Sequence, residues 1–122
     1  MGTKPVKITL PFPPSVNTYW RSFRGRNILS EQARKYKKSA ATAIMLAGFP
    51  FHRGPCRLRI TLVPKDSRRR DSDNYNKPLF DCLVENKVID ADDSRIVKGH
   101  SVEWAEPDKT NPRVEIAIEE AA

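Results

Sequence analysis

Val6, Ile8, Leu10 and Phe12 alternate with Lys7, Thr9 and Pro11, the two-residue period of a strand with one buried face. Pro11 cannot donate to a ladder, so this strand ends there or lies at a sheet edge. Cys56, Leu58, Ile60 and Leu62 repeat the period up to Pro64, and Val114, Ile116 and Ile118 repeat it near the end of the chain. A further strand is predicted over Ile96 to Trp104, where the alternation is ambiguous. Ala33, Tyr36, Ala40, Ile44 and Ala47 recur at steps of three and four, with Arg34, Lys35 and Lys38 off that stripe, which predicts an amphipathic helix. Ser30 can cap it, Glu31 suits the positive end of its dipole, and Gly48 stops it. Leu79, Phe80, Leu83 and Val84 predict a second helix from about Asn76 to Asn86; Pro78 in its first turn puts the start near Asn74 to Lys77. Residues 13–29 show neither period and read as a long loop of the functional kind, because Tyr19, Trp20 and Phe23 interleaved with Arg21, Arg24 and Arg26 argue against disorder. The order strand, helix, strand, helix, strand, strand, without an internal repeat, predicts an α+β (mixed α/β) fold. A single domain over residues 1–122 is expected, with a mixed sheet of four or more strands packed by two main helices.

Composition narrows the class. No apolar run approaches the ~20 residues that span a membrane, and Met-Gly-Thr-Lys-Pro lacks an apolar signal core, so the expected place is the cytoplasm. Cys56 and Cys82 have no CxxC spacing and read as reduced core thiols; His52 and His100 lack metal-ligand spacing. Charge is unevenly placed. Residues 1–60 hold twelve Lys/Arg against Glu31 alone, whereas residues 61–122 hold ten bases and fourteen acids. A basic half joined to an acidic half suits a protein that meets a polyanion and also holds cations. The basic helix face, with Lys35 and Lys38, is either a phosphate track or an ordinary solvated face.

The chemistry concentrates in Lys65-Asp-Ser-Arg-Arg-Arg-Asp-Ser-Asp-Asn-Tyr-Asn-Lys77. In an extended backbone Asp71 and Asp73 point to one side, so both carboxylates can face one point. Two carboxylates that close repel unless a cation or proton intervenes, and a few hard oxygens suit Mg2+, with Mn2+ as substitute. Lys77 lies one helical turn beyond Asp73, and Asp90, Asp92 and Asp93 follow after the helix. Each piece alone has a plain structural reading: a cap, a solvated arginine run, an acidic turn. Their conjunction, an acidic centre beside Arg68, Arg69 and Arg70, is what a metal-dependent phosphodiesterase on nucleic acid requires.

Arg69-Arg-Asp-Ser-Asp-Asn-Tyr-Asn-Lys-Pro-Leu-Phe-Asp-Cys-Leu83 and Val88-Ile-Asp-Ala-Asp-Asp-Ser-Arg-Ile96 resemble the signature of the RusA family of Holliday junction resolvases. Leu10-Pro-Phe-Pro-Pro-Ser-Val-Asn-Thr-Tyr-Trp20 and Arg24-Gly-Arg-Asn-Ile-Leu-Ser30 are similar to its N-terminal region. The resemblance implies a homodimeric, Mg2+-dependent endodeoxyribonuclease that nicks two strands of a four-way DNA junction symmetrically in recombination and repair. It implies catalytic, metal-holding carboxylates at Asp71, Asp73 and one of Asp92 and Asp93, with Asp93 chosen because it precedes Ser94-Arg95-Ile96, and with Asp90 and Asp92 as alternatives. It implies a catalytic Lys77 and DNA contacts from Arg69 and Arg70, to which Arg68, Asn74, Arg21, Arg24, Arg26, Lys35 and Lys38 are added as candidates. A nuclease for flaps or forks, or a non-catalytic DNA-binding module, are the other classes that these residues allow.

Overall fold

The computed structural model describes residues 5–121. The elements are β1 (Val6–Pro11), α1 (Val16–Tyr19), β2 (Trp20–Phe23), β3 (Arg26–Leu29), α2 (Glu31–Leu46), β4 (Cys56–Val63), α3 (Asp73–Glu85), β5 (Val97–Trp104) and β6 (Arg113–Glu120). The main sheet runs β1-β6-β4-β5, with β6 antiparallel to both of its neighbours and β5 parallel to β4. A parallel pair needs a crossover, and α3 supplies it. The expected mixed four-stranded sheet is therefore present, and Pro11 closes a strand that lies at its edge.

The alternation along the strands sorts the side chains. Leu58, Ile60, Leu62, Val114, Ile116 and Ile118 face the helices, while Arg57, Arg59, Glu115 and Glu119 occupy the alternate positions. Tyr36, Ala40 and Ile44 of α2 and Leu79, Phe80 and Leu83 of α3 meet the inward set. Full burial of a Leu or Ile side chain stabilises by about 1.5–3 kcal/mol, so this stripe-on-sheet contact holds both helices in place. The Tyr36 hydroxyl also donates to the Pro11 carbonyl at 2.7 Å, fixing α2 on the end of β1, and burial pushes its pKa up. Ser30 caps α2 as its sequence predicts, accepting from the Ala33 N–H at 3.1 Å.

Three expectations are corrected. Residues 13–29 are not a loop: Ser15 caps the single turn α1, and β2 and β3 form a hairpin around Arg24 and Gly25, whose φ of 51° and 77° give a two-residue turn. Their periods are invisible because α1 is four residues long and every residue of β2 is exposed, so no alternation is written into them. Ala47 leaves the buried stripe, since α2 ends at Leu46 and Ala47 is its exposed cap. The second helix starts at Asp73, so Pro78 is its sixth residue rather than part of its first turn. The missing proline N–H forfeits one bond to the Asn74 carbonyl, and the burial of the Pro78 ring offsets that loss.

Candidate active site

The start of α3 is built by Asp71. Its Oδ1 accepts the Asp73 N–H at 3.1 Å, its carbonyl accepts the Asn74 N–H, and the Ser72 carbonyl accepts the Tyr75 N–H. Ser72 is helical, with φ −61° and ψ −30°, so the carboxylates of Asp71 and Asp73 stand on a tight turn and not on the extended backbone that the sequence suggested. Both residues are exposed, and the Asp73 carboxylate has no hydrogen bond or ion pair among the described residues. Asn74 is half-buried behind them.

One turn on, Lys77 Nζ lies 3.0 Å from Asp81 Oδ1. That hydrogen bond, with the charges of Asp81, Asp92 and Glu85, raises the Lys77 pKa and keeps the ammonium protonated. The lysine is tethered yet 61% exposed, so it can still meet an incoming anion.

The three later aspartates have different surroundings. Asp90 Oδ2 accepts the Gly54 N–H at 2.7 Å and Oδ1 lies 3.5 Å from Arg53, which latches the turn after α3 to the approach of β4. Asp93 is taken by Arg95: its Oδ1 accepts the backbone N–H at 2.9 Å and Nε at 3.1 Å, and its Oδ2 lies 2.8 Å from Nη2. Those bonds hold the Asp93 carboxyl well below the usual range, at about 2. Asp92 has no hydrogen bond or ion pair among the described residues, and its charge is felt by Lys77. Of the two neighbouring aspartates, Asp93 is engaged by Arg95 and Asp92 is left open.

The arginine run also divides. Arg70 is only 9% exposed in its side chain; its guanidinium bonds Asp66 Oδ1 at 2.7 Å and the carbonyls of Asp66 and Arg68 at 3.0 and 3.1 Å. It shapes the loop from inside, its guanidinium spent on Asp66 and on the Arg68 carbonyl. Arg68 and Arg69 are exposed, and neither side chain has a hydrogen bond or ion pair among the described residues. Arg68 meets Lys35 across a cleft of about 610 Å³ between α2 and the 65–70 loop, and Lys65 joins them there. Lys65 was overlooked because a single lysine after Pro64 carries no pattern, and Lys38 is not among the walls of this cleft.

The hairpin carries the remaining candidates. The Ser30 N–H donates to the Tyr19 carbonyl at 2.9 Å and closes its base. The Tyr19 ring is wholly buried, and burial, then the charges of Cys82, Asp81 and Glu85, pushes its pKa up; α1, which ends at Tyr19, packs against α3. Arg21 and Arg24 stand over the exposed Phe23 ring at 5.7 and 5.2 Å, and Trp20 and Arg26 are exposed beside them.

Residues 11–119 match the family model described as endodeoxyribonuclease RusA. The chain belongs to the RusA family. Its relatives include the crossover junction endodeoxyribonuclease RusA of Escherichia coli strain K12, 36% identical over 114 residues that cover 93% of this chain and 92% of that protein. The rusA enzyme of Enterobacteria phage HK97 is 34% identical over 101 residues, 79% of this chain and 84% of its own. That of Enterobacteria phage 82 is 35% identical over 114 residues, covering 93% and 92%. The matched span takes in almost the whole RusA fold described above, from the end of β1 nearly to the end of β6.

Among the described residues, no group of three His, Cys, Asp or Glu side chains is already gathered closely enough to hold one ion. The donor chemistry fits a hard divalent cation all the same. Asp71 and Asp73 are exposed carboxylates on one turn, Asp73 and Asp92 are uncommitted, and a site of few protein oxygens leaves room for water and phosphate ligands. No helix among the described residues is long and apolar enough to cross a membrane.

Proposed function

We propose that this chain cuts four-way DNA junctions by paired nicks, as an endodeoxyribonuclease that needs a divalent metal ion, Mg2+ foremost and Mn2+ in its place. One observation carries the reading: in a chain of the RusA family, whose relatives are named crossover junction endodeoxyribonucleases, Asp71 and Asp73 share one turn with a tethered, charged Lys77 one turn on. Asp71, Asp73 and Asp92 would hold the ion. When bound, it supplies Lewis-acid charge for phosphodiester hydrolysis.

The chain's own residues do the rest. Arg68 and Arg69 hold the backbone phosphates of the cut strand, and Lys35 and Lys65 extend that track along the cleft by α2. Lys77 places a fixed positive charge where the phosphate gains negative charge, and Asp81 keeps it aimed. The hairpin brings Arg21, Arg24 and Arg26 to a neighbouring arm, with Trp20 and Phe23 as faces for unpaired bases. Arg70 and Asp90 hold loops in shape, and Asp93 fixes its own turn. Two nicks related by a two-fold axis call for two copies of this site, so the active species is a homodimer. Action on DNA in the cytoplasm of a bacterial or phage-infected cell belongs to this reading, and the phage and bacterial origin of the relatives supports it.

A synthetic four-way junction and its linear duplex control, each given wild type or Asp73→Asn in Mg2+ and in EDTA, test this. Paired symmetric nicks only with wild type and Mg2+, and binding without cutting by Asp73→Asn, are expected. Cutting of flaps and forks with no preference for four-way geometry would move the substrate, and binding with no cutting in Mg2+ or Mn2+ would leave a binding module.

A further inference from the structure

Trp104, the last residue of β5, is 41% exposed although its ring packs on Phe12 and edge-on against Tyr75, at centroid distances of 6.4 and 6.1 Å. With Pro64, Arg68, Arg69, Glu106 and Pro107, it lines a cleft of about 430 Å³, within the ordinary size of ligand sites. Both walls are held by bonds of their own. The Ala105 N–H donates to the Leu62 carbonyl at 2.9 Å and the Asp108 N–H to the Pro64 carbonyl at 2.8 Å, while Arg70 braces the 66–70 loop opposite. The cleft therefore exists before anything enters it.

Its lining has a distinct chemistry. One aromatic ring and two prolines offer flat apolar surface. The guanidiniums of Arg68 and Arg69 and the Glu106 carboxylate have no hydrogen bonds or ion pairs among the described residues, so the cleft holds unspent donors beside an unspent acceptor. A phosphate would suit the arginines but not the carboxylate or the indole. An unpaired base has a π-face to stack and an edge carrying both acceptors and donors. The cleft also adjoins the proposed centre, since Arg70 in its wall directly precedes Asp71, and Trp104 touches Tyr75, two residues after Asp73.

We propose that this cleft takes one nucleobase turned out of the DNA stack beside the cut phosphate, stacked on Trp104 with its edge against Glu106, while Arg68 and Arg69 on the opposite wall keep the flanking phosphates. The proposal rests on the branched-DNA reading above. Where the arms of a junction are held apart, the bases at the crossover have a stacking neighbour on one side only, so turning one out costs less there than in a duplex. Capture of that base fixes which phosphate lies at the carboxylates, which makes the cleft a positioning device for the cut.

The test is a cycle between protein and substrate. Abasic nucleotides are placed one at a time around the cut in a four-way junction, and affinity and cleavage rate are measured for wild type, Trp104→Ala, Trp104→Phe and Glu106→Ala, with each variant's folding checked by thermal melting. At one position the missing base is expected to cost wild type about tenfold in affinity. Trp104→Ala should be indifferent to that loss, Trp104→Phe should retain most of it, and Glu106→Ala should retain part. Independent, multiplying losses at every position would overturn the proposal, as would losses from Trp104→Ala that are equal on intact and abasic DNA. Absence of cutting by wild type would count against the branched-DNA reading alone, because the coupling is read in binding as well.

Discussion

Asp92 and Asp93 are neighbours with opposite situations, and the difference is a matter of which groups reach them. Arg95, two residues on, saturates Asp93 within its own turn, whereas the Asp92 carboxylate has no hydrogen bond or ion pair among the described residues. Asp92→Asn is expected to lower the cleavage rate by about a hundredfold or more with the melting temperature unchanged. Asp93→Asn should lower the melting temperature and leave a larger share of the activity. Paired rate and melting measurements on the two variants check this, and the reverse pattern would restore the assignment made from the motif. Lys87 offers a simpler case. It ends α3 with φ at 60°, the left-handed region where a side chain is strained, so Lys87→Gly should stabilise the fold by about 1 kcal/mol in urea unfolding. Asp66 brings pH into view. The hydrogen bond from Arg70 and the backbone N–H of Arg68 lower its pKa below the ordinary 3.8. Its contribution is therefore complete above pH 4 or so and fades as pH falls through the lowered value. Asp66→Asn should melt below wild type at pH 7, and the gap should narrow as pH falls below the ordinary carboxylate value.

At the scale of elements, legibility followed the length of the pattern and the depth of burial. β1, β4, β6 and α2 each repeat a period several times and bury one face, so Ile8, Leu58, Ile116, Ala33 and Ile44 declare themselves in the sequence. β5 was ambiguous because it is an edge strand whose residues are mostly exposed or half-buried. The hairpin leaves no mark because its ladder of four residue pairs and its two-residue turn join strands that bury little, so no repeating pattern is written into them. The site divides in the same way. Asp71, Asp73 and Lys77 sit close along the chain and could be read together, whereas the commitment of Asp90 to Gly54 spans the fold and leaves no mark in the motif. Gly25 is the residue on which the hairpin turns, and Gly25→Ala should loosen it at a cost of about 1 kcal/mol. Junction binding should weaken more than duplex binding in that variant, as gel-shift titrations of both DNAs would detect.

On the reading above, the molecule as a whole would meet its substrate through two groups of cations: the hairpin, and the cleft by α2 with the Arg68–Arg69 corner at its wall. Affinity built in this way is sensitive to salt. Replacing both Arg68 and Arg69 by Gln should reduce the slope of log affinity against log salt by about 2, with affinity falling on every DNA of the same charge. A slope unchanged from wild type would place those side chains away from the phosphates.

The order of strands in the sheet also sets when this activity can come into being. β6, translated after the other described strands of the sheet, lies between β1 and β4, which without it have no ladder joining them. Chains emerge at about 5–20 residues per second, so β1 waits several seconds for its partner. Until then, the face on which α2 and α3 rest is divided. A nascent chain from which β6 has not yet emerged thus lacks the joined sheet behind the aspartate turn, and a DNA-cutting activity is withheld until that strand is in place.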